Sequence, residues 1–346
     1  MHTIKRLGET TLSCLLKAEI NVKNLKENAL AVKRLIGNKV KLSAVVKGNA
    51  YGHGIVGVSS SLYPLVDSYC VSMEDEAFSL RISGIDKEII LLTPAFSVER
   101  LVKNGITLTV SSKAEVLRVV KACEKLGISA NVHIKLNTGM NRLGASNAFE
   151  VNEIIGAVKD TGVTITGALS HLGGVNNKRY LSSQYQNFLR LSDNVKNYND
   201  KACLHLSSSA GALLGEKYLF SMVRVGIMLY GYTPYKTDKI NLKKVMTVYA
   251  KNLGEKTLKN QRFLYGDKRH TESAVTLVRM GYADGFFRSL GEVSPLCMDI
   301  SGVRGKFDSD YVPVMTDALE ISKKLKTIPY EILTSVTKRA EFSYLE

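Results

Sequence analysis

The chain has 346 residues, with 47 lysines and arginines against 32 aspartates and glutamates, so its formal net charge is +15 at pH 7. Its composition, 45% hydrophobic and 23% charged with only six prolines, excludes intrinsic disorder. The length excludes a single small module and predicts two domains, or one large α/β barrel with a smaller partner domain.

Several classes of protein are disfavoured at once. Lys47 and His53 interrupt the longest apolar stretch, so it falls short of the about 18 residues that a membrane span needs. The N-terminal residues lack a secretory signal, and we expect a cytoplasmic protein without membrane association. Five cysteines without a C-x-x-C pair argue against a disulfide framework or a metal site and predict reduced thiols.

The basic residues are spread along the chain without a nucleic-acid motif, which predicts a solvated basic surface and no nucleic-acid partner. The positive charge could still help to capture an anionic small molecule.

From about residue 15 to 230, short β-rich runs alternate with amphipathic segments of helical length, a pattern typical of parallel strands joined by crossover helices. Nine strands are predicted, one more than an eight-stranded barrel needs. They are Leu15–Asn21, Val40–Val46, Val66–Ser72, Glu88–Thr93, Ile106–Val110, Ala130–Leu136, Val163–Ser170, Ala202–Leu206 and Val223–Leu229.

The helices between the strands are recognisable at their ends. Ser112 and Glu115 have capping-box spacing, and Gly127 stands where the following helix should end. Leu25, Ala29, Val32 and Ile36 recur at helical intervals before Gly37. The series predicts an α/β fold, a (β/α)8 TIM-like barrel, although an open doubly wound sheet has the same local pattern.

After Gly231 the pattern changes to a lysine-rich connection and then to β-like runs at Met246–Lys251 and Ala274–Arg279. We therefore predict a barrel domain over residues 1–237 and a mostly β C-terminal domain over residues 238–346.

Functional residues of a parallel barrel gather at the carboxyl ends of its strands. Four predicted strands end in polar residues followed by a glycine-containing turn, and the first of these ends in Lys47. A desolvated lysine has a lowered pKa and forms Schiff bases with carbonyl compounds. The alternative is a lysine that simply emerges into solvent.

The other strand ends supply further candidates. The serines before Gly211 and the glycine turn after Arg224 could bind phosphate through backbone N–H groups. His171 follows the strand that ends at Ser170, and it is either a site residue or a core histidine.

Taken together, these motifs resemble the alanine racemases, which use pyridoxal phosphate. The resemblance rests on ordered matches along nearly the whole chain. They are AVVKGNAYGHG (44–54), HIKLNTGMNRLG (133–144), SHLGG (170–174), HLSSSAG (205–211), RVGIMLYGY (224–232), LYG (264–266), GYADGFFR (281–288), CMD (297–299) and TIPYEIL (327–333).

The resemblance implies a homodimer in which the C-terminal domain of one chain completes the active site of the other. Lys47 would bind pyridoxal phosphate covalently and act as one base, and Tyr265 of the partner chain would act as the other. Arg224 would face the pyridine nitrogen, and His171 would lie between Arg224 and Tyr265. The phosphate would be bound by Tyr51, Ser209, Gly226, Ile227 and Tyr330. The substrate would be contacted by Arg142, Met298 and Tyr282.

The sequence also departs from the family pattern. Gly48 replaces the usual alanine, Asn137 the usual aspartate, and Ser208 the usual asparagine. The segments from Gly285 to Met298 and from Asp299 to Thr327 are short, which affects the expected position of Met298. Lys135 stands where some racemases carry a carbamylated lysine that steadies the arginine, here Arg142.

The function implied is racemisation of alanine, which supplies D-alanine for peptidoglycan. A racemase of serine or a basic amino acid is an alternative on the same fold. A decarboxylase is disfavoured because such enzymes bind the ring nitrogen through a carboxylate, whereas Arg224 stands here. A non-catalytic cofactor carrier is disfavoured because short homologues of that kind lack the C-terminal β domain.

Overall fold

Apolar strands and amphipathic helices alternate as the sequence predicts, and the computed structural model describes residues 15–346. The strands are β1 (Leu16–Asn21), β2 (Lys41–Val45), β3 (Ser68–Val71), β4 (Glu88–Leu91), β5 (Thr107–Val110), β6 (Ala130–Lys135), β7 (Val163–Leu169), β8 (Cys203–His205), β9 (Met222–Val225), β10 (Met246–Arg262), β11 (Arg269–Val278), β12 (Ser301–Arg304), β13 (Tyr311–Met315) and β14 (Glu341–Leu345).

The helices are α1 (Val22–Ile36), α2 (Lys47–Gly52), α3 (Ile55–Leu62), α4 (Glu74–Ile82), α5 (Val98–Lys103), α6 (Lys113–Leu126), α7 (Ala148–Ala157), α8 (Lys178–Tyr198), α9 (Ser209–Leu214), α10 (Ala318–Lys324) and α11 (Pro329–Ser335). Capping explains where several of them begin. The side chain of Ser112 accepts a hydrogen bond from the N–H of Glu115, and Gly127 ends α6 in the left-handed conformation, as predicted.

Strands β2 to β9 form one parallel sheet of eight strands in the order β8-β7-β6-β5-β4-β3-β2-β9. A bridge between Ser208 and Arg224 joins the two ends of this order, so the sheet is a nearly closed barrel. The strands are buried on both faces, as the apolar runs require. The predicted (β/α)8 barrel is thus confirmed, and the open doubly wound sheet is not found.

The ninth predicted strand, β1, is not a barrel strand. It pairs antiparallel with β10, with Leu16 opposite Ala250 and Ile20 opposite Met246. The predicted strand Val223–Leu229 is also shorter, because it gives way to turns after Val225.

The chain divides into two compact units. One comprises Asn21–Val245 and Glu346, and the other comprises the described residues up to Ile20 together with Met246–Leu345. The division thus falls after Val245 and not after residue 237, and β1 belongs with the C-terminal unit.

The C-terminal unit is mostly β, as predicted. Its sheet has the order β12-β11-β10-β1-β14, and β13 also pairs with β10. The long β10–β11 hairpin packs Leu258, Phe263 and Val275 against Val293 in a small core. Helices α10 and α11 follow the sheet strands β12 and β13 in the chain.

Within residues 15–346, no helix is both long enough and apolar enough to cross a membrane. The cysteines in this range are unpaired, and Cys14 lies outside the described residues.

Candidate active site

Lys47 begins an unusual turn at the carboxyl end of β2. Gly48, Asn49, Ala50 and Tyr51 have φ angles of 64°, 54°, 54° and 53°, so the backbone makes a left-handed helical turn. Side chains disfavour this conformation, and glycine at residue 48 relieves the strain at one of the four positions. The side chain of Asn49 supports the turn by accepting a hydrogen bond from the N–H of Ile55 at 2.8 Å.

The amine of Lys47 is partly removed from water. Desolvation lowers its pKa, and the positive charge of Arg142 lowers it further, against an opposing effect of Glu76. A lysine with a lowered pKa has a larger neutral fraction at physiological pH, and the neutral amine is the form that attacks a carbonyl group.

Tyr51, Ser209 and Gly226 lie together at the same end of the barrel. The N–H of Gly226 donates to Ser209 Oγ at 3.3 Å. A Cβ at residue 226 would lie 2.5 Å from Tyr51 Oη, so only glycine lets the phenol come this close. The N–H of Ile227 donates to no residue in the described range. This phosphate cradle, defined as Tyr51, Ser209, Gly226 and Ile227, therefore brings hydroxyl and N–H groups close together at one end of the barrel.

The neighbouring serines do not contribute their side chains in the same way. Ser207 is fully buried, and its hydroxyl donates to the carbonyl oxygen of Tyr218 at 2.6 Å. Ser208 precedes α9 and bridges to Arg224 through the backbone. Of the three serines in this turn, Ser209 is the one whose hydroxyl meets Gly226.

Arg224 is buried, and its guanidinium makes four hydrogen bonds inside the barrel. Nη1 donates to His205 Nδ1 at 2.9 Å and to the carbonyl oxygen of the same residue, while Nη2 donates to the carbonyl oxygens of Ser170 and Leu206. A guanidinium has five N–H groups, so Nε–H is the one without a partner in the described residues. Desolvation lowers the pKa of Arg224 to about 10, which still leaves it a cation at neutral pH.

Among the described residues, the histidine that hydrogen-bonds to Arg224 is His205. His171 follows Ser170, whose carbonyl oxygen accepts from the guanidinium. Desolvation, and then the charges of Arg224 and Lys135, lower the pKa of His171 to about 3, so this imidazole is neutral at physiological pH. The expected position of His171 relative to Tyr265 stays a prediction, because these residues belong to different compact units.

Lys135 ends strand β6 and is 9% exposed. Desolvation and the charges of Arg224 and Arg142 lower its pKa to about 7. Arg142 itself is exposed in the loop after β6. This loop is organised by Asn137, whose side chain accepts hydrogen bonds from the N–H groups of Gly139 and Asn141 and donates to Asn141 Oδ1 at 3.0 Å.

In the C-terminal unit, Tyr265 lies in the loop of the β10–β11 hairpin and is 67% exposed. The guanidinium of Arg288 lies 5.4 Å from the centre of its ring. Tyr330 lies in the first turn of α11, and burial raises its pKa to about 12.

Tyr282 and Met298 are brought side by side despite the short segment between them. The N–H of Tyr282 donates to the carbonyl oxygen of Cys297, and the N–H of Ala283 donates to that of Met298, both at 3.0 Å. A Cβ at Gly281 would lie 2.3 Å from the carbonyl oxygen of Cys297, so glycine is required for this approach. The N–H of Met298 has no partner in the described range and remains available to a ligand.

The residues of the barrel unit fit pyridoxal phosphate. Lys47 offers an amine to an aldehyde, the phosphate cradle offers hydroxyl and N–H groups to a phosphate, and Arg224 has one N–H to offer a ring nitrogen. The glycine at residue 226 is the observation that decides, because any Cβ there would collide with the phenol of Tyr51 and displace it from the cradle.

Three polar residues of the barrel interior were not singled out from the sequence: Glu88, His133 and His205. His205 Nε2 lies 2.9 Å from His133 Nδ1, and His133 Nε2 lies 3.7 Å from Glu88 Oε1. The available signal was a histidine inside each of the apolar runs that form β6 and β8.

The comparisons with known proteins agree with this arrangement. Residues 20–234 match the family model for the N-terminal domain of alanine racemase. The alanine racemase of Streptococcus uberis is 30% identical, and the match covers 95% of this chain and 97% of the relative. The structure of the Clostridium difficile 630 alanine racemase is similar with a TM-score of 0.90 and 30% identity over 96% of each chain. The alanine racemase of Bartonella henselae with covalently bound pyridoxal phosphate is similar with a TM-score of 0.80 and 25% identity, over 96% of this chain and 99% of that one. The chain therefore belongs to the alanine racemase family of isomerases.

Proposed function

We propose that the protein interconverts L-alanine and D-alanine with pyridoxal phosphate bound to Lys47. The observation that carries this proposal is that three groups with different tasks lie at one end of the barrel. They are the amine of Lys47, the phosphate cradle and the unpartnered Nε–H of Arg224. When bound, the cofactor withdraws electrons from the bonds at the substrate Cα and so acidifies its proton.

Racemisation needs a base on each face of the substrate Cα. Lys47 removes or returns the proton on one face, where its lowered pKa leaves a useful neutral fraction. Tyr265 serves the opposite face. Arg142 and the N–H of Met298 bind the substrate carboxylate, while Tyr282 lines the mouth of the site and Tyr330 adds a phosphate contact.

Arg224 controls how strongly the bound cofactor withdraws electrons from the substrate. A guanidinium donates a hydrogen bond but does not readily give up a proton. If Nε–H held the ring nitrogen of the cofactor, that nitrogen would stay largely unprotonated, and the bound cofactor would supply a weaker electron sink. Weaker withdrawal favours return of the proton to Cα over side reactions, which suits a racemase and disfavours a decarboxylase.

The second base comes from a second copy of the chain. Tyr265, Tyr282 and Met298 are 67%, 43% and 56% exposed in one chain. Their exposure leaves these groups accessible to a second chain, which supports a homodimer in which each C-terminal unit covers the partner's barrel.

The role of Lys47 is tested by incubating the protein with pyridoxal phosphate and each L-amino acid, followed by chiral separation. We expect D-alanine to form fastest, and the Lys47→Ala variant to lose both activity and the visible absorbance of the bound cofactor. Lys121→Ala, which removes an exposed lysine of α6, is the control. Borohydride reduction and peptide mapping should label Lys47. Faster conversion of serine or of a basic amino acid would replace alanine as the substrate.

The shared active site is tested by mixing two inactive variants. Coexpressed Lys47→Ala and Tyr265→Ala chains form mixed dimers with one site that has both native residues, so part of the activity should return. If Tyr265 acted within its own chain, no site in the mixture would be complete and no activity would return. In Tyr265→Ala alone, proton exchange from one enantiomer should fall more than exchange from the other.

A cytoplasmic alanine racemase would supply the D-alanine that peptidoglycan requires. This role predicts that loss of the protein makes growth depend on added D-alanine, provided that the cell has no second source.

A further inference from the structure

A series of polar residues runs from the buried Arg224 through the barrel interior to Glu88, whose side chain is 36% exposed. Arg224 Nη1 and His205 Nδ1 are 2.9 Å apart, His205 Nε2 and His133 Nδ1 are 2.9 Å apart, and His133 Nε2 and Glu88 Oε1 are 3.7 Å apart. The first two are hydrogen bonds, and the third is an electrostatic contact slightly longer than a hydrogen bond. Arg224, His133 and His205 are at most 3% exposed.

The hydrogen-bonding groups at the two ends of this polar series set the direction in which its hydrogen bonds are donated. A guanidinium can only donate, so the contact with Arg224 favours the tautomer of His205 that accepts at Nδ1 and carries its proton on Nε2. His133 Nδ1 then accepts from His205, which leaves the His133 proton on Nε2, facing the carboxylate of Glu88. Desolvation lowers the pKa of His133 to about 4 and that of His205 well below its usual value, so both imidazoles are neutral.

The backbone around this polar series leaves room for its imidazole rings. A Cβ at Gly167 on β7 would lie 2.7 Å from His133 Nε2, so glycine leaves room for the imidazole. The pairing of β6 with β7 shifts register between Val132 and His133. At the far end, Thr107 Oγ1 donates to Glu88 Oε1 at 3.0 Å and so orients the carboxylate.

We propose that Glu88, at the opposite end of the barrel strands from Lys47, is a positioning residue for Arg224 that acts through His133 and His205. The carboxylate disfavours the other tautomer of His133, which would turn a lone pair toward an anion and an N–H toward the N–H of His205. The hydrogen-bonded series thereby keeps His205 an acceptor for Arg224, so Nη1 and Nη2 keep their partners and Nε–H is the N–H without one in the described residues. The catalytic consequence rests on the proposed function, whereas the tautomers do not.

The tautomers are measured by ¹⁵N NMR of the imidazole nitrogens in the apoprotein at neutral pH. In the wild type, we expect both histidines to be protonated on Nε2 alone. Glu88→Met removes the acceptor and should shift the His133 nitrogens toward a mixture of tautomers. Glu88→Gln keeps an oxygen acceptor and should shift them less. Glu124→Gln, a change at an exposed carboxylate of α6, is the control.

Steady-state kinetics of the holoenzyme give the second measurement. We expect Glu88→Met to lower kcat by about tenfold with little change in KM, since an interaction that acts on the ring nitrogen matters mainly in the transition state. If Glu88→Met does not fold, Glu88→Gln carries the same comparison with a smaller effect.

Failure of the two proposals can be told apart. A wild-type protein without racemase activity contradicts the proposed function and leaves the tautomer result standing. A wild-type His133 protonated on Nδ1, or His133 nitrogens unchanged in both Glu88 variants, overturns the positioning role even if racemisation is observed.

Discussion

Glu76 accepts a hydrogen bond from the backbone N–H of Asn49 at 3.2 Å and so ties helix α4 to the left-handed turn after Lys47. The other oxygen of the same carboxylate accepts from the N–H groups of Ser72 and Met73, each at 3.0 Å, where α4 begins. One side chain therefore serves a helix start and a strained turn together. The turn carries Tyr51 of the phosphate cradle, so the stability of this contact bears on cofactor binding.

Replacing Glu76 by glutamine should separate these two tasks. Glutamine has one acceptor oxygen, so either the Asn49 N–H or the N–H groups at the start of α4 lose their partner. We expect the free energy of unfolding to fall by about 1–3 kcal/mol and cofactor affinity to fall with it. Urea unfolding and titration with pyridoxal phosphate measure the two effects. Full stability in the variant would mean that the Glu76 carboxylate is dispensable to the turn.

Gly48→Ala introduces the residue that is usual in the family but should destabilise this chain. Residue 48 has a φ of 64°, and a side chain in that conformation costs about 1–2 kcal/mol. The control is Gly156→Ala, at an exposed helical position with no neighbouring atom within 4 Å of the new Cβ. There alanine should add about 0.5–1 kcal/mol. Changes of the same sign in urea unfolding would contradict the strain argument.

Gly226→Ala should weaken cofactor binding by closing the phosphate cradle. The new Cβ would lie 2.5 Å from Tyr51 Oη and 2.8 Å from its Cζ. Overpacking of this kind costs about 1–3 kcal/mol, so we expect the Kd for pyridoxal phosphate to rise by about tenfold or more. Tyr51→Phe removes the nearest atom, and the loss in the double variant should be smaller than the sum of the single losses. Additive losses would show that the two residues do not collide.

Asn137→Asp restores the residue usual in the family and should disturb this loop. Nδ2 of Asn137 donates to Asn141 Oδ1 and to Ser146 Oγ, and a carboxylate can donate to neither. We expect a loss of about 1 kcal/mol in urea unfolding. Asn141→Gly in the same chain removes the opposing oxygen at a position with a φ of 56° and should recover part of it. If Asn141→Gly recovers no stability, repulsion between the carboxylate at residue 137 and the side-chain oxygen of residue 141 is not the cause of the loss.

The buried amine of Lys135 should make stability depend on pH. Its pKa is lowered to about 7 in the folded protein and is about 10.4 in an unfolded chain. Between these values the unfolded chain binds more protons, so folded stability rises with pH across this window. We expect the wild type to gain stability relative to Lys135→Met between pH 7 and about 10 in buffer free of carbon dioxide. A stability difference between the two proteins that stays constant over this pH range would contradict the lowered pKa of Lys135.

In bicarbonate, the neutral amine of Lys135 is the form that can attack carbon dioxide. The resulting carbamate is an anion and would turn repulsion from Arg142 into attraction. Native mass spectrometry should then find the added group in the wild type and not in Lys135→Met. If the two proteins gain the same mass, carbamylation occurs elsewhere.

Local pattern was sufficient for the barrel strands and for the strand ends that carry Lys47, the serine turn and the turn after Arg224. The ends of β2 and β9 deliver Lys47, Tyr51 and Gly226 because parallel strands release their loops at the same edge. Local pattern predicted β1 as a strand but not its place in the fold. The antiparallel pairing of β1 with β10 joins distant parts of the sequence and has no local signal. The hydrogen bond between His205 and Arg224 was not predicted, because sequence spacing does not tell which imidazole turns toward the guanidinium. The left-handed turn at residues 49–51 is likewise held by a carboxylate distant in sequence, that of Glu76, which accepts from the N–H of Asn49.

The pairing of β1 with β10 also affects the order in which the protein can be made. During synthesis, β1 emerges before the barrel strands, yet its partners β10 and β14 follow only after the ribosome has produced the entire barrel. Nascent chains must therefore carry an unpaired strand with a row of open N–H and C=O groups while the barrel forms. Slow elongation through residues 21–245 would prolong that exposure, and aggregation of stalled chains would begin at this segment.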